Sequence, residues 1–280
     1  MAQLVSTIAL SHAPGLTGWL DKAPKEEQDS LVNGFSELGR ILRDTRPDVI
    51  IGVANDHVLN LEFQNTPDFC VGTSDKWEGP AEWFKDWVAV PHYEVAGNKQ
   101  VADTLVNAAG REGIRFAFRD KLLFDDNWSV PLYYLTPDYD IPLVPIHMNC
   151  VVPPLPQPEY CYRVGQTIAK IVRDELPDDM RVAFMATGGL SHDPGGPKYF
   201  DVDEKFDRWF LGLLEEGDPE KVLREATIDK MVAAGDGGTS ELLAWLVTMG
   251  AVGDRPAKTV CYEPAVELRC GMGCVYWDMS

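Results

Sequence analysis

Short apolar runs alternate with amphipathic stretches along this chain. Six runs have the length and apolar content of strands: 3–10, 48–54, 68–72, 141–147, 181–187 and 259–277. Between them, apolar positions recur at helical spacing. Leu31, Phe35, Leu38, Ile41 and Leu42 mark a helix within 25–45. Val101, Leu105 and Ala109 mark one within 96–112, and Val164, Ile168, Ile171 and Val172 one within 159–175. Further helices are expected over 201–216 and 219–226, and from just after Gly238 to about Met249. Strands alternating with helices predict an α/β fold in which helices cover a mostly parallel or mixed central sheet. No repeat of fixed period and no linker-like composition breaks the pattern, so a single domain over residues 1–280 is expected.

The polar residues that end these runs are not random. His12, His57, His147 and His192, four of the five histidines, stand just past an apolar run. The carboxyl ends of parallel strands line the crevice where α/β proteins bind ligands. Neutral imidazole is the commonest metal ligand and the usual acid/base near neutral pH. One strand-end histidine is ordinarily a loop residue; the repetition singles these out. Segment 73–95, with Trp77, Trp83, Trp87, Pro80 and Pro91, reads as a lid, rim or subunit contact, or as a long surface loop holding a small helix.

Net charge is −19. With no Lys/Arg-rich tract, this argues against nucleic acid and anionic membrane as partners. The N-terminus lacks a basic stretch before its apolar run and reads as a first strand, not a signal peptide. No run reaches transmembrane length. Six scattered cysteines suggest reduced thiols in a cytoplasmic protein. Cys270 and Cys274 are expected to alternate along one strand.

Three strings carry chemistry. Ala54-Asn55-Asp56-His57 runs straight out of a buried strand, where Asp56 either orients His57 or caps the next element. Thr187-Gly188-Gly189-Leu190-Ser191-His192 has small residues that allow close backbone approach, but it fits neither a phosphate loop nor a nucleophile elbow, which leaves His192 as its working group. Gly235-Asp236-Gly237-Gly238-Thr239-Ser240-Glu241 leads into a helix with Leu242, Trp245, Leu246 and Met249 on one face, Thr239 or Ser240 serving as N-cap. Two histidines and a carboxylate leave coordination positions open, which suits non-haem Fe(II) and O2 chemistry. A catalytic zinc has the same ligand types, so a zinc-dependent hydrolase with His192 as base is the alternative.

Taken together, Ser11-His12-Ala13-Pro14, Asn55-Asp56-His57, Ser129-Val130-Pro131-Leu132, Gly188-Gly189-Leu190-Ser191-His192 and the Glu241 helix resemble the class III extradiol ring-cleavage dioxygenases, the protocatechuate 4,5-dioxygenase catalytic-subunit superfamily. The resemblance implies that His12, His57 and Glu241 ligate Fe(II) and that His192 is the acid/base. It also implies a small aromatic substrate (catechol, gallate or aminophenol) and O2, and a homo-oligomer with room for a small partner subunit. One departure stands out. Many members carry Asp-His-Gly before the Val-Pro-Leu string, whereas here Asp126 occupies the place of that histidine. An aspartate there would accept hydrogen bonds or favour a cationic group and would disfavour a substrate carboxylate; otherwise it caps a loop. His147 is expected as a packed or wall residue and His92 as a loop residue. Tyr262, Glu263 and Glu267 either touch the pocket or simply alternate along the last strand.

Overall fold

A computed structural model describes residues 1–279 and forms ten strands among them. They are β1 (Gln3–Leu10), β2 (Val49–Asn55), β3 (Phe69–Gly72), β4 (Lys76–Gly79), β5 (Tyr93–Ala96), β6 (Ala117–Arg119), β7 (Leu143–Met148), β8 (Arg181–Thr187), β9 (Ala257–Glu263) and β10 (Met272–Trp277). Eight of them form one sheet in the order β6-β3-β7-β2-β8-β1-β10-β9, and β4 and β5 pair separately. The middle of the sheet, β7-β2-β8-β1, is parallel. Antiparallel strands flank it: β3 beside β7, and β10 with β9 beside β1. The expected α/β sheet is therefore present, and it is mixed.

Helices cover both faces. Lys99–Arg111, Pro158–Glu175 and Leu242–Val252 pack on one side, and Lys25–Asp44 and Asp126–Leu135 on the other. A strand buried on both faces needs a continuous apolar run rather than alternation. Strand β2, Val-Ile-Ile-Gly-Val-Ala-Asn, is buried at every position. Helices Pro158–Glu175 and Leu242–Val252 cross at backbone contact. A Cβ on Gly165 would lie 1.8 Å from the Val247 carbonyl oxygen, and one on Gly250 would lie 2.0 Å from that of Tyr162.

Several details depart from the sequence expectations. The run 259–277 is two strands separated by a 3₁₀ turn at Val266–Leu268. His147 lies inside β7, not past it. Asp126–Leu135, around the Val-Pro-Leu string, is a helix that the pattern does not predict, because Pro131 sits in its interior. Segment 73–95 holds β4, helix Lys85–Val88 and the start of β5. No helix is long and apolar enough to cross a membrane among the described residues.

The register fixes where the site falls. Leu10 and Ala54 both pair with Thr187, and Asn55 pairs with Met148. The carboxyl ends of four parallel strands thus share one edge, and His12, His57 and His192 follow three of them.

Candidate functional site

Four of the predicted site residues meet at that edge. Glu241, from the 3₁₀ turn Thr239–Glu241, lies at the centre. Its Oε2 is 3.3 Å from His12 Nε2, and its Oε1 is 3.1 Å from His57 Nε2 and 3.5 Å from His192 Nε2. The fifth, Asp126, places Oδ1 3.4 Å from His57 Nδ1. One donor atom from each of His12, His57 and Asp126 also falls within a 4.8 Å group. His57 is the most open of the three histidines, with 30% of its side chain accessible, against 3% for His12 and 11% for His192.

Hydrogen bonds fix which nitrogen of each ring faces Glu241. The Thr187 hydroxyl donates to the Asn127 carbonyl (3.0 Å), so at 2.5 Å from His12 Nδ1 it accepts that ring's N–H. Asn127 has a carbonyl to offer because the residue four positions on is Pro131, which has no N–H to give it. His57 Nδ1 donates to Asp125 Oδ2 at 2.9 Å. The other Asp125 oxygen caps helix Asp126–Leu135 by accepting from the Asn127 N–H at 3.0 Å. His192 Nδ1 donates to the Leu190 carbonyl at 2.7 Å. Each Nε2 is therefore turned toward the acid. Glu241 is itself held by Asn55 Nδ2 (3.1 Å) and the Gly189 N–H (2.7 Å). The two glycines beside His192 are required by space, since a Cβ on Gly189 or Gly238 would lie within 2.5 or 2.1 Å of its ring.

Other residues take parts the sequence did not disclose. Asp56 does not orient His57. Its carboxylate caps a turn, accepting from the backbone N–H groups of Leu59, Asn60 and Leu61, and from His147 Nδ1 at 2.9 Å. Trp128 Nε1 donates to His147 Nε2 at 2.9 Å, so His147 is a fully buried packing residue, as expected. Thr239 is not a helix cap; its hydroxyl ties down the His192 backbone, donating to the carbonyl and accepting from the N–H. Cys270 precedes β10 and lines the cavity, whereas Cys274 lies within the strand, 3.4 Å from Cys261 Sγ, so the two do not alternate on one strand. Tyr262 is directed away from the cavity and donates to Asp207 at 2.9 Å. Glu263 and Glu267 do not line it either. Asp125 and Thr187 escaped the sequence reading; the signal for Asp125 was its place one residue before the expected family histidine.

Electrostatics mark the cluster as short of positive charge. Burial pushes His12 down to about 4, with Glu241 pulling the other way. Burial would also lower His57, but Asp125 and Asp126 raise it well above the usual imidazole value. Burial would raise Glu241, yet the facing histidines, with His192 and His57 in hydrogen-bonding position, hold it well below the carboxylate range. Burial raises Asp126 well above that range, reinforced by Asp125 and Glu241 and opposed by His57. His12 Nε2 is buried without a hydrogen-bond partner. With its proton on Nδ1, its lone pair meets a carboxylate oxygen across 3.3 Å. Two acceptors face each other there, and leaving such a group unsatisfied costs roughly 1–3 kcal/mol. A cation between them resolves the conflict. Metal–donor bonds of about 2.1 Å place neighbouring donors about 3 Å apart, which is the spacing around Glu241, so the residues present fit a divalent metal.

The cluster opens into a cavity of about 380 Å³. Its wall is aromatic, with Trp19, Trp83, Phe84, Trp87 and Tyr199. Segment 73–95 is thus a rim of the cavity.

Residues 6–269 match the family described as "Catalytic LigB subunit of aromatic ring-opening dioxygenase". The chain is 28% identical over 235 residues to the 2,3-dihydroxyphenylpropionate/2,3-dihydroxicinnamic acid 1,2-dioxygenase 2 of Pseudomonas putida, spanning 81% of this chain and 68% of that protein. It is 31% identical over 138 residues to a gallate dioxygenase of Pseudomonas putida, spanning 48% of this chain and 39% of that one. The crystal structure of an uncharacterized protein from Escherichia coli K12 shares the fold, with a TM-score of 0.61 at 16% identity over 98% of this chain and 99% of that one.

Proposed function

The chain belongs to the family of catalytic LigB subunits of aromatic ring-opening dioxygenases, and from that premise we propose that it is a non-haem Fe(II) extradiol dioxygenase in which His12, His57 and Glu241 hold the metal. Its substrates are rings of catechol, gallate or aminophenol type. The observation that carries this reading is the buried His12 lone pair facing Glu241 with no proton between them. Iron, when bound, supplies the charge that lowers the proton affinity of the substrate hydroxyls and the redox capacity for chemistry with O2.

The protein's own groups do the rest. Thr187 and Asp125 occupy the Nδ1–H groups of His12 and His57, so both rings turn Nε2 to the metal; His57, held cationic by Asp125 and Asp126, would release its Nε2 proton when a metal binds. Asn55 and Gly189 keep Glu241 ionised and aimed. His192, anchored through Nδ1, holds Nε2 beside Glu241 at the cavity and exchanges a proton with the substrate there as the ring opens. Asp126, kept protonated by its buried and acidic surroundings, donates a hydrogen bond to a substrate heteroatom. The aromatic wall stacks the ring and keeps bulk water from it.

Anaerobic reconstitution with Fe(II), followed by a panel of catechol, 2,3-dihydroxyphenylpropionate, gallate and 2-aminophenol, tests this. O2 uptake with a coloured ring-opened product is expected. Iron-loaded protein that consumes no O2 with any member, or protein active only with zinc, would refute it.

A further inference from the structure

We infer that Arg269 is a specificity residue that binds an anionic group carried on an arm of the ring substrate. The preferred substrates are then catechol-type rings whose carboxylate is set off from the ring; only the ring part of this inference rests on the reading above.

Arg269 is the one Lys or Arg lining the cavity among the described residues. Its guanidinium lies over the rings of Tyr199, Phe200 and Trp19, at 4.6, 5.3 and 5.6 Å from their centroids, and donates to the Tyr199 hydroxyl. No carboxylate pairs with it among the described residues. Arg40, Arg111, Arg119, Arg173, Arg208 and Arg224 have acid partners; of the arginines that have none, Arg269 is the one that lines the cavity. Aromatic faces hold a guanidinium in place without neutralising it, so its charge stays available to a ligand.

The backbone supports the same assignment. Arg269 follows the 3₁₀ turn Val266–Leu268 with φ at +64°, in the left-handed region. An L-residue with a Cβ costs about 1–2 kcal/mol there, and glycine or asparagine would relieve it. The turn is pinned to the cavity wall by Trp19, whose Nε1 donates to the Glu267 carbonyl at 3.1 Å. A strained position that holds a long cation is understandable where the side chain serves a ligand. At the metal end the surroundings repel anions, since the Asp125 and Glu241 carboxylates crowd it. A carboxylate directly on the ring beside the diol would meet those acids, whereas one on an arm reaches the cation.

Binding of 3-phenylpropionate and its neutral amide, 3-phenylpropionamide, is followed through the fluorescence of the wall tryptophans. Neither probe carries a diol, so the readout is independent of metal and turnover. Wild type is expected to bind the carboxylate about tenfold more tightly than the amide, a charge-assisted contact. Arg269→Gln should abolish that difference, and Arg269→Lys should keep part of it, as a point charge without the planar fork. In turnover, Arg269→Gln should raise KM for 2,3-dihydroxyphenylpropionate about tenfold more than it raises KM for 3-methylcatechol. No preference for the carboxylate in wild type, or a preference that survives in Arg269→Gln, overturns the inference. An intact preference with no O2 uptake on any catechol would instead sink the dioxygenase reading alone.

Discussion

Asp125→Asn separates the two jobs of one carboxylate. In the native protein Oδ1 accepts from the Asn127 N–H and caps a helix, while Oδ2 accepts from His57 Nδ1. Asparagine caps a helix as well as aspartate does, so its carbonyl keeps the Asn127 bond and the fold is retained. Its amide NH2 is then left facing His57. Two donors cannot face each other, so the neutral ring, the form that ligates a metal, keeps its proton on Nε2, the nitrogen 3.1 Å from Glu241. The ring can then ligate a metal only after losing that proton. Loss of such an orienting partner typically lowers metal affinity 10–100-fold, about 1.4–2.7 kcal/mol. Anaerobic titration of Co(II) or Fe(II) against a chromophoric chelator measures it directly, with circular dichroism as the control for folding. An affinity within about twofold of wild type, in a folded variant, would refute the assignment of His57 Nε2 as the ligand atom.

Three further outcomes are expected. His57→Ala or Glu241→Ala loses bound iron, while His192→Gln keeps iron and loses roughly 10²–10⁴ in turnover; retained iron and activity in His57→Ala would refute the ligand set, and loss of metal from Asp126→Ala with Glu241→Ala intact would make Asp126 the third ligand. Gly165→Ala drives a Cβ toward the Val247 carbonyl and should cost roughly 3 kcal/mol in denaturant unfolding, since overpacking of backbone against backbone has little room to relax; an unchanged midpoint would contradict the described helix crossing. Burial pushes Asp207 up to about 6 from 3.8, against hydrogen bonds from Ser191 and Tyr262. The native state therefore holds a proton that the unfolded chain releases, so this residue's contribution to stability is full below pH ~4 and falls by about 3 kcal/mol as pH rises through 6. Asp207→Asn should gain on wild type by that amount between pH 4 and pH 7; a pH-independent difference would refute it.

Much of this architecture was legible in the chain because apolar period and burial are local properties. Strand β2 and helices such as Pro158–Glu175 follow directly from runs and spacing. The histidine placement at strand ends pointed to the right edge of the sheet. What the sequence hid depends on tertiary contact. The helix Asp126–Leu135 carries an interior proline and buries nearly every side, polar Asp126, Asn127 and Ser129 included, so it lacks the amphipathic signal. Asp56 adjoins His57 in sequence, yet the strand end turns its carboxylate to the following backbone, and the partner of His57 is Asp125, 68 residues away. The anchor of His12, Thr187, is likewise 175 residues distant, supplied by the register of β1 on β8. Spacing along a chain cannot reveal pairs that exist only once strands lie side by side.

The groups around Glu241 and the wall of the cavity come from different parts of the fold. The former are rooted in buried parallel strands; the latter belong to the 73–95 excursion and to the turns around Tyr199 and Arg269. Errors in the first are costly, because a shift of one strand residue would turn every side chain to the opposite face. Changes in the second leave the sheet untouched. The two parts are therefore separable: the wall can be altered one residue at a time to suit new ring substituents without disturbing the buried groups around Glu241. Exchange of the 73–95 segment between relatives is the natural way to redirect such a protein toward new aromatic compounds.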